Sequence, residues 1–298
     1  MTLFDGRTFA RERERALAEQ VQRLHAKKIF PKIVAVLFTE DEGSQLYTRL
    51  KKEAAERVGI VYDIEQVSIL DEMEKLLATL EQLNQDRSVT GIIIQKPSKA
   101  RWEEVARAHQ RESDFAVWWQ ELVAHIDEKK DVDGLHPNTL VAVEQGSWRQ
   151  DGKVMPATAK AVLEILQVAN REHPLNGKII VIGKSDILGK PLFYELRNSG
   201  ADVEMIGRTE LAARIASGQK MLDAQVVISA TGQAGLVTGD LVAQGVIAID
   251  VGEPKPDIDP DSVKPKAAFF SPVPGGVGPV TIVGLLENAV EFASRHSI

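Results

Sequence analysis

Tyr47 and Lys51 stand four residues apart in a segment whose pattern predicts a helix over 44–58, so both side chains share one helical face. Most lysines in such positions are solvated. One that is partly desolvated has a lowered ammonium pKa and becomes a usable acid or base near neutral pH. Gln95 closes the apolar run Gly91-Ile92-Ile93-Ile94, just before Pro97. In open α/β sheets ligands gather at the carboxyl ends of strands, although a plain strand-to-loop passage explains the same residues. Lys130-Asp131-Val132-Asp133-Gly134 carries two carboxylates on a turn. Asp-Gly turns are common, but a carboxylate there can also grip an amino-pyrimidine edge through two parallel hydrogen bonds.

A second group lies further along. Residues 181–191 read as a strand, a glycine turn (Gly183, Lys184, Ser185) and a helix opening at Gly189. Helix N-termini offer unpaired N–H groups and partial positive charge to a phosphate, and glycine lets the backbone approach it. The spacing is Gly-x5-Gly rather than the general dinucleotide fingerprint, so the turn alone is weak. Arg208 ends the next strand. Dinucleotide folds place an acid at that point for the ribose 2′-OH of NAD, or a cation for the 2′-phosphate of NADP. Two cations, Lys184 and Arg208, with no acid at the strand end favour NADP. Pro272-Val273-Pro274-Gly275-Gly276-Val277-Gly278-Pro279 fixes a backbone shape that few loops need and then opens a helix.

Helical and strand patterns alternate around these residues. Helices are expected over 7–27, 44–58, 72–83 and 101–127, with strands over 32–38, 61–67 and 91–95. A second series has helices over 158–168, 189–199 and 209–217, and strands over 178–182, 202–206, 225–229 and 246–251. Apolar strands alternating with helices mean parallel sheets with right-handed crossovers. The fold class is therefore α/β, as two domains. A polar, glycine-bearing stretch, 144–152, marks the boundary between 1–145 and a Rossmann-like 146–279. A last helix, within 280–298, is expected to pack back on the first domain.

Composition sets limits. The 298 residues, 44% hydrophobic and 27% charged, are ordinary for a globular chain. With 36 basic and 43 acidic residues the net charge is −7, which argues against nucleic acid as a partner. The absence of cysteine excludes disulfides, thiolate nucleophiles and Cys-ligated zinc, and no metal site is expected. No apolar run reaches membrane-span length, and Met1-Thr2-Leu3-Phe4-Asp5 lacks the features of a signal peptide, so a cytoplasmic protein is expected.

Taken together, 43–51, 91–97, Lys130 through Gly134, 183–191, Ile249-Asp250-Val251-Gly252 and Pro272 through Pro279 resemble the bifunctional methylenetetrahydrofolate dehydrogenase/methenyltetrahydrofolate cyclohydrolase family. The resemblance runs nearly end to end. It implies two α/β domains with a cleft between them, a homodimer, a folate site in the first domain and an NADP site in the second. It implies that Lys51 is the essential catalytic residue, that Tyr47 stacks on the folate, that Gln95 hydrogen-bonds Lys51 and that Asp133 holds the pterin. Gly183, Lys184, Ser185, Arg208 and Glu253 would line the NADP site, and Pro272, Gly275 and Gly276 would meet the folate. The implied chemistry is oxidation of 5,10-methylenetetrahydrofolate, then hydrolysis to the 10-formyl product, in one-carbon metabolism. A dehydrogenase with weak or lost cyclohydrolase activity, and a non-catalytic ligand-binding relative, stand as alternatives. The joint presence of Tyr47, Lys51, Gln95 and Asp133 speaks against the latter.

The chain also departs from the family pattern. Lys96 follows Gln95 where leucine is usual, and the stretch from Gln95 to Asp133 is longer than usual and holds Trp102, Trp118 and Trp119. Pro156-Ala157-Thr158-Ala159 replaces a Pro-Cys-Thr-Pro motif, Glu253 stands at an apolar position, and Lys184 replaces an arginine.

Overall fold

The structure, a computed structural model, describes residues 1–109 and 114–295. The chain opens with β1 (Thr2–Leu3) and α1 (Gly6–Ala26), followed by β2 (Lys32–Phe38), α2 (Glu42–Val58), β3 (Val61–Val67), α3 (Met73–Gln85) and β4 (Gly91–Ile94). Three helices follow without a strand: α4 (Lys99–Ala108), α5 (Phe115–Ala124) and α6 (Pro137–Gln145). Then come α7 (Ala157–Glu172), β5 (Lys178–Ile182), α8 (Gly189–Asn198), β6 (Val203–Ile206), α9 (Arg208–Ala216), β7 (Ala224–Ser229) and β8 (Val246–Asp250). The chain closes with α10 (Pro260–Val263), β9 (Ala267–Ser271) and α11 (Val277–Arg295).

These elements form two compact units. One comprises Arg13–Thr139, Gly152–Val154 and Leu285–Ile298. Its three-stranded sheet has the order β3-β2-β4, all parallel, with β2 in the centre. β2 and β4 are buried apolar runs because both faces are covered, as parallel sheets require. The segment Lys130 to Val132 lies alongside β4: Ile92 N–H donates to the Lys130 carbonyl at 2.8 Å and Ile92 bridges Asp131.

The other unit comprises Met1–Glu12, Leu140–Asp151 and Met155–Gly284. Its sheet has six parallel strands in the order β1-β9-β8-β7-β5-β6. The strand order reverses beside β5, with β6 on one side and β7 on the other. Such a switch point opens a crevice at the carboxyl ends of the strands. One apolar cluster packs α7 and α8 on this sheet through Val162, Ile165, Leu192, Val181 and Ile228. A second, with Ile180, Val227, Ala248, Leu211 and Val263, fills the opposite face.

Two expectations need correction. The helix expected over 101–127 is two helices, α4 and α5, separated by residues that include 110–113, which lie outside those described. The break has a physical cause in Asp114. Its carboxylate accepts from the N–H groups of Ala116 (2.7 Å) and Val117 (3.1 Å) and so starts a new helix. The expected terminal helix begins earlier than anticipated, at Val277, and residues 296–298 lie outside those described. Four elements also carried too little periodicity to be expected: β1, α6, α10 and β9. Among the described residues, no helix is long and apolar enough to cross a membrane.

Candidate active site

In the first-described unit, α2 presents Lys51. The helix stops at Gly59, whose left-handed backbone (φ 84°) lets its N–H cap the Ala55 and Glu56 carbonyls. One face of α2, including Ser44, Thr48, Lys51 and Ala55, is buried. Lys51 is only 7% exposed, although it is a lysine, and its Nζ donates to Gln95 Oε1 at 3.1 Å. Gln95 continues β4, with its N–H bonded to the Val36 carbonyl at 2.9 Å. Tyr47 lies one turn earlier on α2 and is half-buried. The helix and the strand end therefore bring an amine, an amide and a phenol into one neighbourhood.

Asp41, 8% exposed, ties the neighbouring loops together, and sequence reasoning missed it. Its Oδ2 accepts from Ser44 Oγ at 2.6 Å and from the Ser98 N–H at 3.1 Å, joining the start of α2 to the start of α4. Beside it, Lys96 Nζ lies 5.0 Å from the Trp119 ring centroid and 5.5 Å from that of Phe115. Lys96 and the aromatic segment that follows it are thus physically coupled through cation–π contact.

The Lys-Asp-Val-Asp-Gly turn divides its charges. Lys130 Nζ donates to the carbonyls of Leu83, Asn84 and Asp86 at 2.6–2.9 Å, satisfying the C-terminal end of α3. Asp131, 1% exposed, accepts from the N–H groups of Leu135 (3.0 Å) and His136 (2.9 Å) and from Thr139 Oγ1 (3.2 Å). Burial pushes its carboxyl above the ordinary range, against those backbone bonds. Asp133 is half-buried, and its charge helps burial raise the Tyr62 phenol well above its usual pKa. Of the two carboxylates, Asp131 is committed to holding the turn, while Asp133 makes no side-chain hydrogen bond or ion pair found among the described residues.

The six-stranded unit holds the glycine turn. Gly183 has φ 128°, and a Cβ there would lie 2.5 Å from the Ala230 carbonyl oxygen. A Cβ on Gly189 would lie 1.9 Å from the Gly183 carbonyl oxygen. The five-residue spacing thus closes a turn that only two glycines can make. Ser185 Oγ accepts from the N–H groups of Leu188 (3.3 Å) and Gly189 (3.4 Å) at the start of α8. This cradle at the switch point, with exposed Lys184 and Arg208 near it, fits a phosphorylated dinucleotide.

The acid that sequence reasoning did not find near this point is Glu210. It is the third residue of α9, which turns its side chain back to the end of β6. Its Oε2 accepts from the Gly207 N–H at 3.1 Å, and its Oε1 pairs with Lys184 Nζ. Glu253 is exposed on the loop after β8. Pro272, Gly275 and Gly276 lie on the loop between β9 and α11, in the same unit as the glycine turn and not in the unit of Lys51. The Gly275 carbonyl accepts from the Gly6 N–H at 2.9 Å, and a Cβ on Gly276 would lie 2.3 Å from Ser271 Oγ.

At the ends of β7 and β8 two buried carboxylates fix the loop that carries Glu253. Asp250 accepts from the N–H groups of Gly252 (2.8 Å), Asp257 (3.1 Å) and Ile258 (2.9 Å). Asp257 Oδ2 accepts from Ser229 Oγ (2.9 Å), Thr231 N–H (2.5 Å) and Thr231 Oγ1 (2.9 Å). Burial pushes the Asp250 carboxyl up to about 6, with the Asp257 charge adding to the effect. The folded chain therefore holds that proton more tightly than the unfolded chain does. Relative to Asp250→Asn, the wild type is expected to gain up to about 3 kcal/mol of stability as pH falls from roughly 6 to 4. Denaturant melts of both proteins across that range check this. A difference independent of pH would rule it out.

Residues 4–133 match the tetrahydrofolate dehydrogenase/cyclohydrolase catalytic domain, and residues 156–297 match the NAD(P)-binding domain of the same name. The chain is 34% identical over 303 residues to the bifunctional protein FolD of Lactobacillus helveticus (strain DPC 4571), covering 99% of this chain and 98% of that one. Among solved structures it is similar to the bifunctional enzyme FolD, a methylenetetrahydrofolate dehydrogenase/cyclohydrolase, from Campylobacter jejuni. The TM-score is 0.85 and the identity 31%, over 99% of each chain. It is also similar to the N5,N10-methylenetetrahydrofolate dehydrogenase-cyclohydrolase of Trypanosoma brucei, solved with NADP cofactor and an inhibitor. There the TM-score is 0.83 and the identity 29%, over 99% of this chain and 98% of that one.

Proposed function

Because this chain belongs to the tetrahydrofolate dehydrogenase/cyclohydrolase family, we propose that it oxidises 5,10-methylenetetrahydrofolate with NADP and hydrolyses the methenyl product to 10-formyltetrahydrofolate. The observation that carries this reading is the buried Lys51 amine held by Gln95 at 3.1 Å beside Tyr47. A chain that only bound folate would have no use for a buried proton-transfer group.

The geometry and the family support the following assignment of roles. Tyr47 offers its ring to the folate, and Asp133 offers a carboxylate to the amino-pyrimidine edge of the pterin. Pro272, Gly275 and Gly276 are read as further folate contacts. Gly183, Lys184 and Ser185 shape the phosphate cradle, with Arg208 and Glu253 along the same dinucleotide site. NADP, when bound, supplies the hydride acceptor. For the oxidation, the chain's task is to orient the folate methylene carbon and exclude competing water. For the hydrolysis, Lys51 moves protons as water adds at the methenyl carbon and the C–N bond breaks, and Gln95 holds its amine in place.

The unit built on β3-β2-β4 is assigned the folate site and the six-stranded unit the NADP site. A homodimer working in the cytoplasm belongs to the same proposal and rests on the family. Sedimentation of the full chain tests the dimer.

The deciding assay supplies methylenetetrahydrofolate and NADP and follows methenyl absorbance as it rises and then decays, against spontaneous hydrolysis. If neither methenyl absorbance nor NADPH forms, the proposal is overturned. A rise that decays only at the spontaneous rate removes its second half. Arg208 is expected to favour NADP, since hydrogen bonds to charged groups contribute about 1.5–3 kcal/mol. Arg208→Ala should weaken NADP binding by roughly tenfold or more and NAD binding far less, as measured by titration calorimetry. Equal losses for both would refute the assignment.

A further inference from the structure

Resting on that dinucleotide reading, we infer that Glu210 is a specificity-determining residue that holds Lys184 away from the cofactor's 2′-phosphate and so narrows the preference for NADP over NAD. One of the two cations expected to favour the 2′-phosphate is already engaged. Lys184 Nζ pairs with Glu210 Oε1, and Glu210 is fixed from its other oxygen by the Gly207 N–H at 3.1 Å. Gly207 leaves room for this pair. A Cβ there would lie 2.7 Å from Glu210 Oε2 and 3.5 Å from Lys184 Cε.

The chemistry of the two cofactors separates at this point. A 2′-phosphate must compete with the Glu210 carboxylate for Lys184 and meets that negative charge as it arrives. A ribose 2′-OH carries no charge, does not need Lys184, and can donate to a carboxylate, as acids at the end of this strand do in dinucleotide folds. Arg208, by contrast, is exposed, and its side chain makes none of the ion pairs found among the described residues. The site therefore carries one committed and one available cation, set against one acid. Lys184 and Glu210 are both about half-exposed, so the effect is screened and modest.

The test uses the full chain with two pairs of probes, NADP and NAD, and adenosine 2′,5′-bisphosphate and adenosine 5′-monophosphate. Affinities are measured by titration calorimetry at low and high salt. Glu210→Gln keeps an oxygen for the Gly207 N–H and removes the charge. It is expected to tighten the 2′-phosphorylated probes about three- to tenfold and to leave the others unchanged or slightly weaker, with the gain shrinking at high salt. In a Lys184→Met background the same substitution should lose most of this effect, because it acts through Lys184. If Glu210→Gln leaves the ratio of affinities unchanged while the wild type binds both probe pairs, the inference is overturned and the dinucleotide reading stands. If the full effect persists without Lys184, competition for that lysine is also overturned. If the wild type binds none of the four probes, the dinucleotide reading fails and the inference fails with it.

Discussion

Lys51→Met is expected to abolish hydrolysis of methenyltetrahydrofolate, with a loss of about 10²–10⁴-fold, while the chain stays folded and still binds NADP. The amine is 7% exposed and anchored to Gln95 Oε1, and methionine fills nearly the same volume without a proton to move. The substitution removes a buried ammonium but leaves Gln95 Oε1 without its donor, and because Gln95 is only half-buried the net change in stability should be small. Hydride transfer should suffer less than hydrolysis, because it depends on orienting the reacting carbons. Lys51→Arg is expected not to rescue hydrolysis, since a guanidinium stays protonated at any working pH. Gln95→Leu should show a smaller loss of the same kind, because it leaves the amine present but unheld. The measurement is methenyl decay with each purified variant after subtraction of spontaneous hydrolysis, beside a thermal melt. A folded Lys51→Met protein that hydrolyses substrate near the wild-type rate removes Lys51 from catalysis.

Trp118→Ala should produce the largest loss of stability among the substitutions considered, about 3 kcal/mol. Trp118 is 3% exposed, and its ring lies 5.1 Å from Phe38, 5.6 Å from Trp102 and 6.0 Å from Phe115, centroid to centroid. Truncating a buried tryptophan usually costs about 3–5 kcal/mol. The lower end applies because Trp118 Nε1 is buried without a hydrogen-bond partner among the described residues. Removing that N–H relieves part of its desolvation cost. Trp118→Phe, which also removes the N–H but keeps a ring, should cost clearly less than the alanine variant. Urea melts at constant m-value separate the two. Equal losses would show that a ring at this position contributes no packing energy.

The alternation of elements was legible because parallel strands buried on both faces leave apolar runs: Lys32–Phe38, Gly91–Ile94, Lys178–Ile182 and Val246–Asp250. β9, with the sequence Ala-Ala-Phe-Phe-Ser, was not legible, being alanine-rich and closed by Pro272. The break before α5 was hidden because Trp102 and Val105 on one side, and Phe115, Trp118 and Leu122 on the other, keep helix-like spacing. Only the Asp114 cap marks it. In the site, Lys51 and Gln95 could be read from helix spacing and a strand end. Glu210 could not, because its position beside Lys184 depends on the first turn of α9 folding back over Gly207. The Asp250 and Asp257 carboxylates lie seven residues apart and meet only through the loop that they hold.

The pairing of β1 with β9 joins Thr2 to Phe269 and Leu3 to Phe270. On the ribosome these partners are made far apart in time, with more than two hundred residues between them. The sheet of β2, β3 and β4 uses only strands between Lys32 and Ile94, so its hydrogen bonds can form before any strand of β5 to β9 is made. The six-stranded sheet has no such freedom. Its outermost strand, β1, is made long before its partner and must wait, unpaired, until residue 271 has emerged. A bulky fusion placed directly before Thr2 would therefore burden the last pairing of that sheet and leave the smaller one untouched.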